Sequence, residues 1–227
     1  LPILHALAMP HMMAYDPAFA YETATIVRDG LRRMLVDDEN VLYYITLYNE
    51  NYPMPAMPKG VEEGIIKGMY RFAAAPEQCR NEVNILASGP MVMEAMQARQ
   101  ILESRYGVGA HVWSVTSFQQ LHRDALRCER YNRLHPSKTP KQAFVTQALR
   151  GFGAPIVVSS DWVKELGELL RPHVPNNVVS LGTNGFGRSD TREALRSHFE
   201  IDTNNIVAGA LYGLFQSGER AAEEVEQ

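Results

Sequence analysis

The sequence predicts an α/β fold: a mainly parallel sheet, mixed at one edge, with helices on both faces. Three observations predict it. Apolar runs of about five residues, among them Val83–Ser88, His111–Thr116 and Pro155–Ser160, alternate with stretches of helical period. Val41–Tyr48 (VLYYITLY) is rich in β-branched and aromatic residues and continuous in apolar character, as in a strand covered on both faces. Leu181–Asp202 (LGTNGFGRSDTREALRSHFEID) packs a strand end, a glycine turn, a helix start and a helix stop into one stretch, which is half of an α/β unit.

Taken in order, Ile3–Met9 is apolar enough for a short strand or a buried segment. Asp16-Pro17 then predicts an N-cap with proline at the first helical position, and a helix to about Val36. Phe19, Thr23, Ile26, Val27, Leu31 and Met34 fall mostly on one face of it, and Arg28, Asp29, Arg32 and Arg33 crowd the solvated one. The strand Val41–Tyr48 ends in Asn49-Glu50-Asn51. Ligands of open parallel sheets bind beyond the carboxyl ends of strands, so this triplet is a candidate site edge; the plainer reading is that it satisfies loop backbone. Tyr52–Gly60, with three prolines, reads as a stiff extended linker and marks a domain boundary.

Beyond the linker the α/β pattern repeats. Met69–Ala73 is expected as an edge strand. Val83–Ser88 follows, then a helix Met91–Tyr106 with Met91, Ala95, Ala98 and Leu102 inward and Glu94, Arg99 and Glu103 outward. After strand His111–Thr116, Ser117 caps a helix through about Arg130, and a polar loop leads to a helical or irregular piece near Ala143–Arg150. Pro155–Ser160 is the next strand. Asp161 is expected to cap a helix that buries Val163, Leu166, Leu169 and Leu170. In the glycine stretch, Val178–Leu181 is the strand, Asp190 the expected N-cap with Glu193 closing a capping box, and Ala194, Leu195 and His198/Phe199 the inward stripe. A last helix from about Thr203 buries Val207, Ala210, Leu211 and Leu214 and stops at Gly218.

The 227 residues suffice for one substantial core or one domain plus part of another. A net charge of −4 with interspersed signs supplies neither a basic footprint for nucleic acid nor a polybasic membrane patch, so neither partner is expected. The two cysteines, Cys79 and Cys128, lack C-x-x-C or Cys/His ligand spacing, which argues against a disulfide framework or a zinc site and fits a reducing cytosol. Neither a transmembrane run nor a signal-peptide layout is present. The apolar opening without methionine and the helix-like ending AAEEVEQ lead to the expectation of a piece of a longer chain.

Residue patterns alone yield no catalytic constellation and no metal site. His122, Cys128 and His135 match no ligand spacing and are interleaved with Arg123, Arg127 and Arg130. Ser159, Ser160 and Asp161 lack a G-x-S-x-G elbow. Gly182, Gly185 and Gly187 form neither a dinucleotide fingerprint nor a P-loop, and a tight strand-to-helix turn explains them. The rival function class is a non-catalytic α/β module whose glycine loop binds an anionic, phosphorylated effector.

Four strings carry a family resemblance: YITLYNENYPMPAMP (Tyr44–Pro58), WSVTSF (Trp113–Phe118), CERYNRLHP (Cys128–Pro136) and the glycine stretch itself. Together the sequence resembles the homodimeric bacterial pyruvate dehydrogenase decarboxylating component, a thiamin diphosphate enzyme related to transketolase, over essentially the whole chain. The resemblance implies that residues 1–57 are the tail of a pyrimidine-binding middle domain and 58–227 a transketolase C-terminal-like domain. It implies oxidative decarboxylation of pyruvate with acyl transfer to lipoyl groups, a 2-oxobutyrate-type dehydrogenase being the alternative within the family. It further implies thiamin diphosphate and Mg2+ held mainly by sequence outside this chain, a homodimer, a lipoyl-bearing acyltransferase core as partner, and a cytoplasmic location. Asn49, Glu50 and Asn51 would lie near substrate or cofactor. Where some relatives carry a functional histidine, this sequence has Ile3, with His5 two positions on, so that role is not transferred.

Overall fold

The computed structural model describes residues 2–226. Helix α1 (Pro2–Leu7), strand β1 (Met12–Tyr15), helix α2 (Ala20–Leu35) and strand β2 (Leu42–Ile45) come first, and β1 pairs with β2 in parallel. An extended segment leads to helix α3 (Glu62–Lys67) and strand β3 (Tyr70–Ala73). Then follow β4 (Asn81–Ala87), α4 (Met91–Tyr106), β5 (Val108–Ser114), α5 (Phe118–Leu134), α6 (Phe144–Ala148), β6 (Ile156–Ser159) and α7 (Glu165–Glu168). A 3-10 turn at Arg171–His173, β7 (Val178–Leu181), α8 (Arg192–His198), α9 (Thr203–Gln216) and α10 (Ala222–Val225) complete the chain. The second sheet has the order β3-β5-β4-β6-β7, parallel except for antiparallel β3 at its edge. This is the mixed-edge sheet the sequence predicts.

Side-chain alternation along β4 and β6 separates two cores. Val83, Ile85, Ala87 and Val157 turn toward α4 and α9, whose Ala95, Ala98, Leu102, Ala210 and Leu214 are fully buried. Leu86, Ile156 and Val158 turn to the opposite face, against Phe118, Leu121 and Leu166 of α5 and its neighbours. Burial at roughly 25 cal/mol per Å2 of apolar surface makes these two layers the main stabilising term. Ser117 caps α5 by accepting from the Gln120 N–H at 3.0 Å, and Asp202 caps α9 through the Asn205 N–H at 2.9 Å. Among the described residues no helix is long and apolar enough to cross a membrane.

Several local expectations are corrected. Of the two readings of Ile3–Met9 the strand is overturned and the buried segment holds in part: α1 buries Ile3 and Ala6 and leaves His5 exposed. Asp16 does not cap α2, which starts at Ala20. The fully buried Glu22 carboxylate reaches back instead and accepts from the Ala18 and Phe19 N–H groups at 2.5 and 3.1 Å. Strand β2 is shorter than Val41–Tyr48 and only half-buried, because in its two-stranded sheet Tyr43 stacks on Tyr15 while Leu42 and Leu47 face outward. Helix α5 continues past Arg130 to Leu134. Asp190 gives way to Thr191 as the cap of α8, and Ala194 is exposed, so the inward stripe reduces to the half-buried Leu195 and Phe199. Asp161 caps no helix, since α7 begins only at Glu165.

Candidate functional site

The carboxyl ends of the strands of both sheets meet at one place. In the larger sheet β5 and β6 flank β4, so the chain reverses direction between β4 and β6, and the crevice beyond those two strand ends is where an open α/β sheet binds ligands. Here the protein's own side chains fill it. Asp16, just past β1, is 2 % exposed; its backbone N–H donates to Thr116 O at 2.7 Å and its carbonyl accepts from Gly89 N–H at 3.2 Å. Its carboxylate accepts from Thr46 Oγ1 at 2.5 Å, Tyr48 Oη at 2.7 Å and Trp162 Nε1 at 2.9 Å. The Tyr48 ring lies so close to Gly89 that a Cβ there would sit 2.8 Å from it. Burial, reinforced by the Asp16 charge, pushes the Tyr48 phenol far above its ordinary value, which keeps it a donor.

Beside this plug a cleft of about 200 Å3 remains, walled by Tyr48, Glu50, Asp161, Thr183, Arg196 and Phe199. The glycine turn forms its rim. A side chain on Gly182 would strike Lys164 N and Trp162 O at 2.6 Å, and Gly185 adopts φ +87°, so these glycines serve close approach and turning. Thr183 donates its N–H to Trp162 O at 2.8 Å and its hydroxyl to Asp161 O at 2.9 Å, fastening the turn to the exit of β6.

Charge in the cleft is concentrated around one guanidinium. Arg196 donates from Nη2 to Glu50 Oε2 at 2.9 Å and from Nη1 to Glu94 Oε1 at 3.1 Å, and all three side chains are largely shielded, at 13, 22 and 15 % exposure. Arg192, one turn earlier on α8, lies 3.6 Å from Glu50 and also donates to the Asn49 carbonyl. Glu94 in turn accepts from Thr203 N–H at 3.0 Å and Thr203 Oγ1 at 2.5 Å. Burial raises the Asp161 carboxyl to about 6, with Asp16, Glu50 and Glu94 pushing the same way and Arg196 opposing. An acid that changes charge near neutrality is chemically able to give or take a proton.

The structure separates the predicted triplet. Glu50 turns into the cleft, Asn49 contributes its carbonyl, and the Asn51 side chain is exposed. Sequence reasoning missed Asp16, Glu94, Asp161 and Arg196. Arg192 and Arg196 did carry a signal, being one helical turn apart on a short helix otherwise weak in apolar residues. Glu94, expected outside, is drawn in by the start of α9. His122 and His135 go separate ways, His122 lying 6.0 Å from the His173 ring and His135 stacking on Tyr131 at 4.5 Å. Among the described residues no group of three or more His, Cys, Asp or Glu could hold a metal ion.

Residues 68–202 match the family described as the transketolase-like TK C-terminal domain. The chain belongs to that family. Residues 3–55 match the pyruvate dehydrogenase E1 component middle domain, so the transketolase-like portion follows a segment of a second kind, and the cleft draws on both. Pyruvate dehydrogenase E1 components of Escherichia coli (strain K12) and Pseudomonas aeruginosa are 48 and 46 % identical over 218 and 217 residues, 95 % of this chain in each case. The chain spans about a quarter of the length of these curated relatives, 24 and 25 %. Transketolase from Leishmania mexicana superposes with a TM-score of 0.64 at 18 % identity, covering 95 % of this chain and 27 % of that one. Transketolase from Pichia stipitis in complex with sedoheptulose-7-phosphate gives 0.63 at 20 %, covering 97 and 29 %. These transketolases establish the fold of the chain.

Proposed function

We propose that the chain is the C-terminal part of the decarboxylating component of a pyruvate dehydrogenase complex. Residues 1–57 would be the tail of its middle domain and 58–227 its transketolase-like C-terminal domain. The observation that carries this reading is the 42 to 48 % identity to pyruvate dehydrogenase E1 components across nearly the whole chain. The activity is oxidative decarboxylation of pyruvate with acyl transfer to lipoyl groups. It implies a cytoplasmic homodimer that serves a lipoyl-bearing acyltransferase core.

Thiamin diphosphate with Mg2+ is the cofactor this function requires, and the residues of this chain do not fit its anchoring end. The described residues lack a cluster of metal-binding side chains, and the crevice at the strand ends is filled by Asp16 and Tyr48. The contribution of this chain is a wall: Asn49, Glu50 and Asn51 border the substrate or cofactor, with Glu50 the member turned into a cleft. Glu50→Ala in the full-length enzyme tests it. Turnover of pyruvate should fall about tenfold or more, for a positioning group next to the reacting centre, with the unfolding temperature little changed. Unaltered kinetics would remove the triplet from the site, and failure of the unmutated enzyme to decarboxylate pyruvate would remove the function.

A further inference from the structure

We propose that Arg196 is a positioning residue that fixes Glu50 from a rigid mount, an inference that rests on the functional reading of Glu50 given above. The argument concerns which partner is stiff. Helix α9 buries Ile206, Val207, Ala210, Leu211 and Leu214, and α4 buries Met91, Val92, Ala95, Ala98 and Leu102, so the two helices belong to the immobile core. Glu94 in the first turn of α4 is pinned to the first residue of α9 by both Thr203 bonds. That leaves Glu94 Oε1 as a fixed acceptor for Arg196 Nη1 at 3.1 Å.

Glu50 is the opposite case. It lies in the stretch between β2 and α3, which has neither helix nor strand pairing, and a glutamate side chain there is free to turn into water. Both of its oxygens are claimed by Arg196, at 2.9 Å to Nη2 and 3.5 Å to Nη1. Arg192 adds a looser hold at 3.6 Å, but its side chain is 55 % exposed. Without the Arg196 guanidinium, Glu50, Glu94 and Asp161 would face one another as like-charged groups in a partly shielded cleft, and the least anchored of them, Glu50, would leave. A guanidinium can bridge two carboxylates in a fixed plane; a lysine ammonium at the same place reaches one.

The test compares Arg196→Met and Arg196→Lys in the full-length enzyme by limited proteolysis and by pyruvate kinetics. Arg196→Met should speed cleavage within residues 47–52 about tenfold while α4 and α9 stay uncut. KM for pyruvate should rise and kcat should fall, and Arg196→Lys should lie between Met and wild type. Should Arg196→Met fail to fold, Glu94→Gln serves, because it loosens the mount without removing the arginine and should speed cleavage at the same residues. Unchanged cleavage at 47–52, or new cleavage spread equally over α4 and α9, would overturn the proposal. Faster cleavage at 47–52 with unaltered pyruvate kinetics would uphold the grip on Glu50 and overturn instead the placement of Glu50 in the reaction.

Discussion

Trp162 donates its indole N–H to the carboxylate of Asp16 across 2.9 Å, joining the end of β6 in the larger sheet to the end of β1 in the smaller one. The other two donors to that carboxylate, Thr46 and Tyr48, come from the segment after β2, so the indole is the member that crosses between the sheets. Trp162→Phe keeps an aromatic ring and removes the donor. The buried carboxylate would then lack one of three partners, and denaturant unfolding should report a loss of about 1–3 kcal/mol.

Asp161 makes stability depend on pH. Burial holds its carboxyl at about 6, above the ordinary 3.8, so the folded protein binds this proton more tightly than the unfolded chain does. Its contribution is most favourable below the unfolded value and is lost as pH rises from about 4 to about 6. Asp161→Asn should flatten that slope and stabilise the protein above pH 6, by about 1–2 kcal/mol once solvent screening of a half-buried group is allowed for. Urea midpoints of both proteins at pH 4.5 and pH 7.5 check the sign.

Glu22 is fully buried and serves four donors: two backbone N–H groups at the start of α2, Tyr70 Oη at 2.7 Å and Ser114 Oγ at 2.6 Å. Removing the acceptor leaves these groups unsatisfied in a dry place. Glu22→Ala is expected to cost about 3–5 kcal/mol, visible as a large drop in the thermal midpoint, with Glu22→Gln milder because one carbonyl oxygen remains.

Gly182→Ala would drive a methyl group into the backbone of Trp162 and Lys164, both at 2.6 Å. The neighbouring atoms are main chain and cannot swing away. The variant should expose the rim of the cleft, read as faster proteolysis between residues 182 and 191 and a loss of about 1–3 kcal/mol.

The elements were legible wherever one physical signal dominated. The limits of α4, β7 and α9 follow from buried apolar periodicity closed by a glycine or a cap, and the chain does begin and end them at Met91 and Tyr106, Val178 and Leu181, Thr203 and Gln216. Two of the errors share a cause, whereas Asp190 only yields the cap of α8 to its neighbour Thr191. Asp16 and Asp161 sit where aspartate caps helices, yet Asp16 is taken by Thr46, Tyr48 and Trp162, and Asp161 faces the cleft. Those partners lie 30 to 146 residues away along the chain, and local pattern carries no trace of them. The cleft shows the same limit. Glu50 was readable as a strand-end residue, whereas Arg196 acquires meaning only when α8 is folded back onto the exit of β2.

The antiparallel strand β3 closes the sheet against outsiders. Its pairing with β5 slips between Arg71 and Ala73, it is four residues long, and it carries the exposed Arg71. A charged, kinked and brief border offers no regular ladder for another polypeptide to extend, which discourages fibre-like stacking through that side. Growth of the β-structure by recruitment is thus blocked at the margin where an otherwise parallel array would have been open to it.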